Sequence, residues 1–329
     1  MVTGPRSGAG GSGPVPVGPA EVGMAGERIL GHVRRTPTIT LERGGFGMPE
    51  GVAIVAKLEL LQPTGSFKVR GAVSLLTAMQ DHPPRPVVAA SGGNFGLAIA
   101  WAASRLGHRA TIVVPATSPR EKIDPIRALG ADVRIVDGYY ADALAEALRI
   151  GEQTDAIPAH AYDQREVVAG QGTAVAELLE DEVVDTVVVA CGGGGLLAGS
   201  IAAAGRDVRV VAVETPGTSA LHSALAAGGP VDVEVSGLTA SSLGARRIGG
   251  LAWAARAGVH AALLVDDEDV RDAQRLLWSA ARLVAEPGGA TALAALSSGA
   301  YVPEPDERVA VLVCGGNTDP GSVVTPSAR

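Results

Sequence analysis

Residues 64–71 read TGSFKVRG and contain one of only three lysines in the chain, Lys57, Lys68 and Lys122, beside 24 arginines. Most positions that merely need a positive charge are given to arginine in this sequence. A retained lysine therefore points to a task that guanidinium cannot perform, namely losing its proton and acting as an amine nucleophile or base. The turn formed by Gly65 and Ser66 presents Lys68 at the start of a helix. Three other loops follow β-branched apolar runs. CGGGGLLAG (191–199) lies between a strand and an Ala-rich helix. Its consecutive glycines let several backbone amides converge with the positive helix end, which makes a phosphate cradle. Gly192 and Gly194 also fit a loose dinucleotide pattern with Glu214 ending the next strand, so a nicotinamide-dependent oxidoreductase stays open at this point. SGGNFG (91–96) offers Ser91, Asn94 and the first amides of a helix, at Phe95 and beyond, to a carboxylate. CGGN (314–317) brings the Cys314 thiol to the end of the last strand. An amine, a phosphate cradle, a carboxylate-binding helix end and a thiol together suit a phosphorylated aldehyde cofactor held as a Schiff base.

The elements that must position these loops are readable. Short β-branched runs at 52–59, 86–91, 110–115, 132–137, 185–191, 208–214 and 308–314 alternate with Ala/Leu-rich segments, the pattern of βαβ units on mostly parallel sheets. The strands between 86 and 160 form one sheet and those after 185 another, which the opening strand is free to join. Helices run from Leu97 to Leu106, stopping at Gly107; from Ser118-Pro119 to Gly130; and from Glu268 to Val284 behind an acidic first turn.

Composition narrows the function. A chain of 329 residues with 47% apolar content can build two domains, and 3% aromatic residues leave the core to Ala, Val, Leu and Ile. A net charge of -8 opposes nucleic-acid binding. Cys191 and Cys314 stand far apart with no zinc-type spacing, so a cytoplasmic setting is expected. Residues 186–205 are uncharged throughout, but their glycines argue for strand, turn and helix rather than a membrane span. The first twenty residues are Gly/Pro/Ser-rich and read as a flexible tail.

KLELLQPTGSFKVRGA, ASGGNFGLAIAWAASRLG, VACGGGGLLAG, VAEPGGATALAAL and VLVCGGN occur in this order between Arg28 and Asp319. In these blocks the chain resembles the fold-type II pyridoxal-phosphate enzymes, in particular the serine/threonine dehydratases. The resemblance implies two open, mostly parallel α/β domains of the tryptophan synthase β-like architecture. The large cofactor-binding domain would comprise 21–68 plus 166–325 and the small substrate-side domain 69–165. It implies pyridoxal 5'-phosphate on Lys68, Phe67 beside the ring and Asn94 on the ring's phenolic oxygen. Gly192, Gly193, Gly194, Gly195 and the Leu196 amide would hold the phosphate, and Cys314 would face the pyridine nitrogen. Ser91, Asn94 and Phe95 would meet a small amino acid substrate, and a homodimer is implied.

Departures sharpen the reading. Racemases of this family carry a serine directly before the Gly-Asn pair, where this chain has Gly92, which disfavours racemisation. Metal-dependent members supply two carboxylates after the strand ending in Glu214, but Ala220 stands at the second place, so Glu214 is a weak cation candidate. Glu286 is either a polar group of the site or a helix-capping acid. Phe95 and residues 238–249 are expected to shape the substrate pocket. The activity implied is loss of water and ammonia from a 2-amino-3-hydroxy acid such as L-threonine or L-serine; a β-replacement synthase of the same fold is the alternative.

Overall fold

The computed structural model describes residues 14–41, 53–79 and 84–324. Ten strands are present among them: β1 (Thr38–Leu41), β2 (Ala53–Lys57), β3 (Val87–Ala90), β4 (Ala110–Pro115), β5 (Asp132–Val136), β6 (Ile157–Ala159), β7 (Thr186–Ala190), β8 (Arg209–Glu214), β9 (Val259–Leu264) and β10 (Arg308–Leu312). They form a six-stranded sheet in the order β1-β2-β10-β7-β8-β9 and a four-stranded sheet in the order β5-β4-β3-β6. Only the β1–β2 pair is antiparallel. All seven expected strands occur, and the opening one, β2, joins the later strands by pairing with β10. Strand β1, the three-residue β6 and the Ala/Leu-rich β9 were not expected.

Parallel strands covered on both faces read as continuous apolar runs, and β7 is buried at every residue. On one face of the large sheet the helices Arg165–Asp181 and Gly195–Ala204 pack through Val168, Val175 and Leu197; on the other, Asp267–Ala281 and Pro287–Ser297 pack through Val270, Leu277 and Leu293. The small sheet carries Lys68–Ala78 and Asn94–Leu106 on one face and Tyr140–Thr154 on the other.

Helix ends follow the local chemistry. The helix expected from Leu97 begins at Asn94 and stops at Gly107 in a left-handed conformation, φ 78°. The helix expected from Ser118-Pro119 spans Arg120–Ala128. The acidic turn at 266–269 is a capping box, with the Asp266 amide donating to Asp269, and the helix ends at Ala281 rather than Val284. Val52 and the far limit of the expected large domain, residue 325, lie outside the described residues. So do residues 1–13 of the expected tail, but from residue 14 the chain is fixed on the fold. Val17 is buried, Arg165 donates to the Val15 carbonyl, and Pro19 opens the helix Pro19–Ile29.

Beneath the helix that Lys68 begins lies a closed charge network. Arg70 makes bidentate contact with Glu59 (2.7 Å to each oxygen) and reaches both oxygens of Glu177, while Lys57 donates to Glu177 at 3.0 Å and to the Thr36 carbonyl at 2.8 Å. Burial works against both charges, but each partner overrides it: Glu59 is held below the ordinary carboxyl range and Arg70 above the ordinary guanidinium value. Removing one member leaves an uncompensated charge in the interior, which costs about 3–5 kcal/mol. Arg70→Met is therefore expected to lower the free energy of unfolding by that amount in a denaturant titration; a loss below about 1 kcal/mol would show that Glu59 finds other compensation. The network also accounts for Lys57 as a structural lysine.

Candidate active site

The turn carrying Lys68 is fastened to the last strand's loop. The Phe67 amide donates to the Cys314 carbonyl at 3.0 Å, the Gly316 amide to the Gly65 carbonyl at 2.9 Å, and Ser66 bridges Gly315. Lys68 and Cys314 thereby line one cavity with Phe67, Asn94, Gly192–Gly195, Leu196 and Glu286. The Lys68 amine lies 4.8 Å from the Phe67 ring centroid and donates to the Ala161 carbonyl at 3.1 Å. Burial pulls its pKa down to about 8, against the pull of the Glu286 carboxylate toward the charged form. The Cys314 thiol donates to the Gly288 carbonyl at 3.4 Å and is pushed up to about 12 by burial and by Glu286, so it stays neutral.

Across the cavity, Asn94 opens its helix and donates from Nδ2 to Glu286 at 2.6 Å, while its Oδ1 accepts from Asn317 at 2.9 Å. Glu286 stands at the N-cap of Pro287–Ser297 yet makes no side-chain capping bond. Its carboxyl accepts from Asn94 instead and lines the cavity. Burial raises its pKa to about 7, with Asn94, Lys122 and Lys68 pulling the other way. The glycine loop closes the end of β7. Gly194 has φ 87°, and a Cβ on it would collide with the Ala252 side chain; one on Gly193 would collide with the Tyr162 ring. The loop is thus bare backbone hemmed in by neighbours, and the helix Gly195–Ala204 begins at its end with its first amides lacking intrahelical partners.

Residues 29–315 match the model of a family described as pyridoxal-phosphate dependent enzyme. The chain belongs to this family. It is 36% identical over 275 residues to an L-threonine ammonia-lyase of Thermotoga maritima, covering 82% of this chain and 68% of that one. It is 35% identical to a phenylserine dehydratase of Ralstonia pickettii, covering 89% and 90%. Among solved structures, maize serine racemase superposes with a TM-score of 0.87 at 29% identity, covering 93% of this chain and 95% of that one. As a pyridoxal-phosphate enzyme, the chain uses that cofactor rather than a dinucleotide. The site passes a chemical test for the cofactor: one amine of lowered pKa, a side-chain-free amide cradle and a neutral thiol share a single cavity.

Not every expected residue faces this cofactor site. The Phe95 ring is turned into the core of the small sheet among Val69, Ala98 and Ile112 and is absent from the cavity wall. The expectation that its side chain shapes the pocket is therefore corrected. Consecutive helical residues point about 100° apart, so a helix that aims Asn94 at the cavity aims Phe95 elsewhere. Ser91 is also off the wall, its hydroxyl accepting weakly from the Gly93 amide at 3.4 Å. Glu214 is buried, and its two oxygens accept the Leu221 and His222 amides at 2.8 Å each, which makes it a helix cap rather than an open cation ligand. No cluster of three or more metal-ligating side chains exists among the described residues. Sequence reasoning missed Tyr162 and the Lys122 amine at the outer cleft beside Asn94 and Glu286. Ser242 and Leu243, within the flagged segment 238–249, do line the cavity.

The Glu286 carboxyl yields a pH prediction. Its folded pKa of about 7 exceeds the ordinary 4.5, so the folded state holds an extra proton between those values. Its contribution to stability is full below the lower value and is lost as pH rises through the upper one. In the cofactor-free protein, the unfolding free energy of Glu286→Gln minus that of wild type should rise between about pH 4.5 and 7. A difference flat across that window would show that Glu286 is ionised there like any exposed acid.

Proposed function

We propose that the chain removes water from a small 2-amino-3-hydroxy acid of the L-threonine or L-serine type, releasing a 2-oxo acid and ammonia. The observation that carries this is the placement of the amine together with the residue at position 92: Lys68 lies in the cavity, and glycine stands where the racemases of this family carry a serine. A Cβ on Gly92 would stand 2.7 Å from the Ser118 hydroxyl, so the space a side chain there would need is already taken. Racemisation needs a proton carrier on each face of the substrate carbon, whereas elimination needs one base and a departing group. The similarity to an ammonia-lyase and a dehydratase supports the same side, although a serine racemase is among the similar structures.

Bound pyridoxal phosphate supplies the electron sink for charge developing on Cα. The protein's share follows from its residues. Lys68 would hold the cofactor covalently and, once released, take the Cα proton, since a buried amine near 8 is partly neutral at physiological pH. Gly192–Gly195 and the Leu196 amide would hold the phosphate, Phe67 would flank the ring, and Asn94, oriented by Glu286 and Asn317, would meet the phenolic oxygen. A neutral Cys314 facing the pyridine nitrogen would not keep it protonated as a carboxylate would. Cys314 would thereby leave developing charge nearer Cα, a setting suited to loss of the β-group. The free amides at the start of Asn94–Leu106, with Ser91 behind them, would take the substrate carboxylate. Two buried, unpaired cysteines suit a cytoplasmic enzyme, and the resemblance makes a homodimer the assembly to look for. No helix among the described residues is long and apolar enough to cross a membrane.

The test is the visible absorbance of the purified protein before and after L-threonine or L-serine, with 2-oxo acid release followed in parallel. A cofactor band that changes as oxo acid appears supports elimination. A change without oxo acid, with the D-enantiomer or a thiol adduct formed instead, would overturn it in favour of racemisation or β-replacement.

A further inference from the structure

The chain crosses from the small sheet to the large one through residues 160–164, between β6 and the helix Arg165–Asp181. This strap is closed on itself and tied down at Asp163. His160 Nδ1 accepts the Asp163 amide at 3.0 Å, which identifies that nitrogen as unprotonated, and the Asp163 carboxylate accepts the Gly250 and Leu251 amides at 2.9 Å each. At its centre the Ala161 carbonyl receives two donors, the Lys68 amine and the Gln171 side-chain amide, each at 3.1 Å. Gln171 is fully buried, and its remaining oxygen has no partner. That orphan lies against the glycine loop, where a Cβ on Gly195 would stand 2.6 Å from it.

A buried acceptor without a partner costs about 1–3 kcal/mol, so Gln171 is a poor choice for stability at a site where leucine would leave no orphan. Its donor end is what the position retains.

Resting on the reading of Lys68 given above, we propose that Gln171 is a positioning residue for that lysine. By occupying one lone pair of the Ala161 carbonyl and fixing its direction, it sets where the released amine sits and turns the amine's own lone pair toward the substrate. An amine donating one N–H to a fixed carbonyl must point its lone pair away from that carbonyl. A carbonyl already bonded to Gln171 is also a weaker acceptor, and it favours the ammonium form less than a carbonyl that Lys68 has to itself. The other groups facing the amine are Glu286 and Cys314 from the large-sheet side and His160 from the strap, and these are untouched by a change at position 171.

The experiment uses Gln171→Leu and, as a second packing solution, Gln171→Met. Cofactor-free full-length protein is mixed with pyridoxal phosphate, and the rate of covalent attachment is followed by absorbance across pH, since only the neutral amine attacks the aldehyde. The expected result is a midpoint raised by roughly half a pH unit in both variants. It should come with kcat about tenfold lower, KM changed less than about twofold, and a melting temperature equal to or above wild type. An unchanged midpoint, or activity lost only in step with a lower melting temperature, would overturn the assignment and leave Gln171 a packing residue. If wild type itself shows no covalent attachment, the reading of Lys68 fails and this inference falls with it. If attachment is normal but no oxo acid forms, elimination fails while the midpoint still decides the role of Gln171.

Discussion

Lys68→Ala is expected to give a folded protein that no longer binds pyridoxal phosphate covalently and whose turnover falls by about 10³-fold or more. Lys68 opens its helix with its amine in the cavity, and the fixed parts of that helix are Arg70 and the apolar residues around Val69 and Val73. Truncation should therefore leave the fold intact, which circular dichroism would check. Lys68→Arg is the informative partner: it keeps the positive charge but cannot become neutral, so it should be as inactive as alanine. Retention of the cofactor band in either variant, or turnover within about tenfold of wild type, would remove Lys68 from the chemistry.

Gly194→Ala should weaken cofactor binding by about two orders of magnitude. The residue has φ 87°, where a non-glycine side chain costs about 1–3 kcal/mol, and its Cβ would meet the Ala252 side chain and stand 2.7 Å from Ile248 Cδ1. The loop must shift, and the amides it aims at the phosphate shift with it. Gly205 at the far end of the same helix supplies the control. It too has a positive φ, 65°, but nothing lies within 4 Å of its Cβ position. Gly205→Ala should lose stability without losing affinity for pyridoxal phosphate in a fluorescence titration. Equal loss in both variants would mean that the glycine loop is not the phosphate site.

Much of the architecture was legible because parallel strands buried on both faces announce themselves as unbroken apolar runs, as in β7 and β10. The two sheets and the four loops at strand ends followed from those runs. What escaped detection had weak local signals. β6 has three residues with a proline in the middle, and β9 reads VHAALL, a composition that serves a helix equally well. Missing β6 concealed that Tyr162 follows a strand end, and so hid a residue packed over the glycine loop. Phe95 was misplaced for a different reason: a motif gives the order of residues along a helix, but the packing of Ile112 and its neighbours decides which of them face the cavity. Gln171 offered no signal at all, because its role depends on a backbone carbonyl ten residues away.

The fastening of the Lys68 turn to the Cys314 loop has a consequence for how the enzyme is made. β10 is the last strand among the described residues, yet it sits inside the large sheet between β2 and β7. Until it inserts, β2 and β7 have no common neighbour, and the amide of Phe67 and the carbonyl of Gly65 have no partners from residues 314–316. Such a contact between segments so far apart in sequence is slow to form and comes late. A partly synthesised chain therefore has the lysine but not its setting. Acquisition of the cofactor's colour would report completed folding, and the reactive aldehyde is captured only by molecules whose last strand is home.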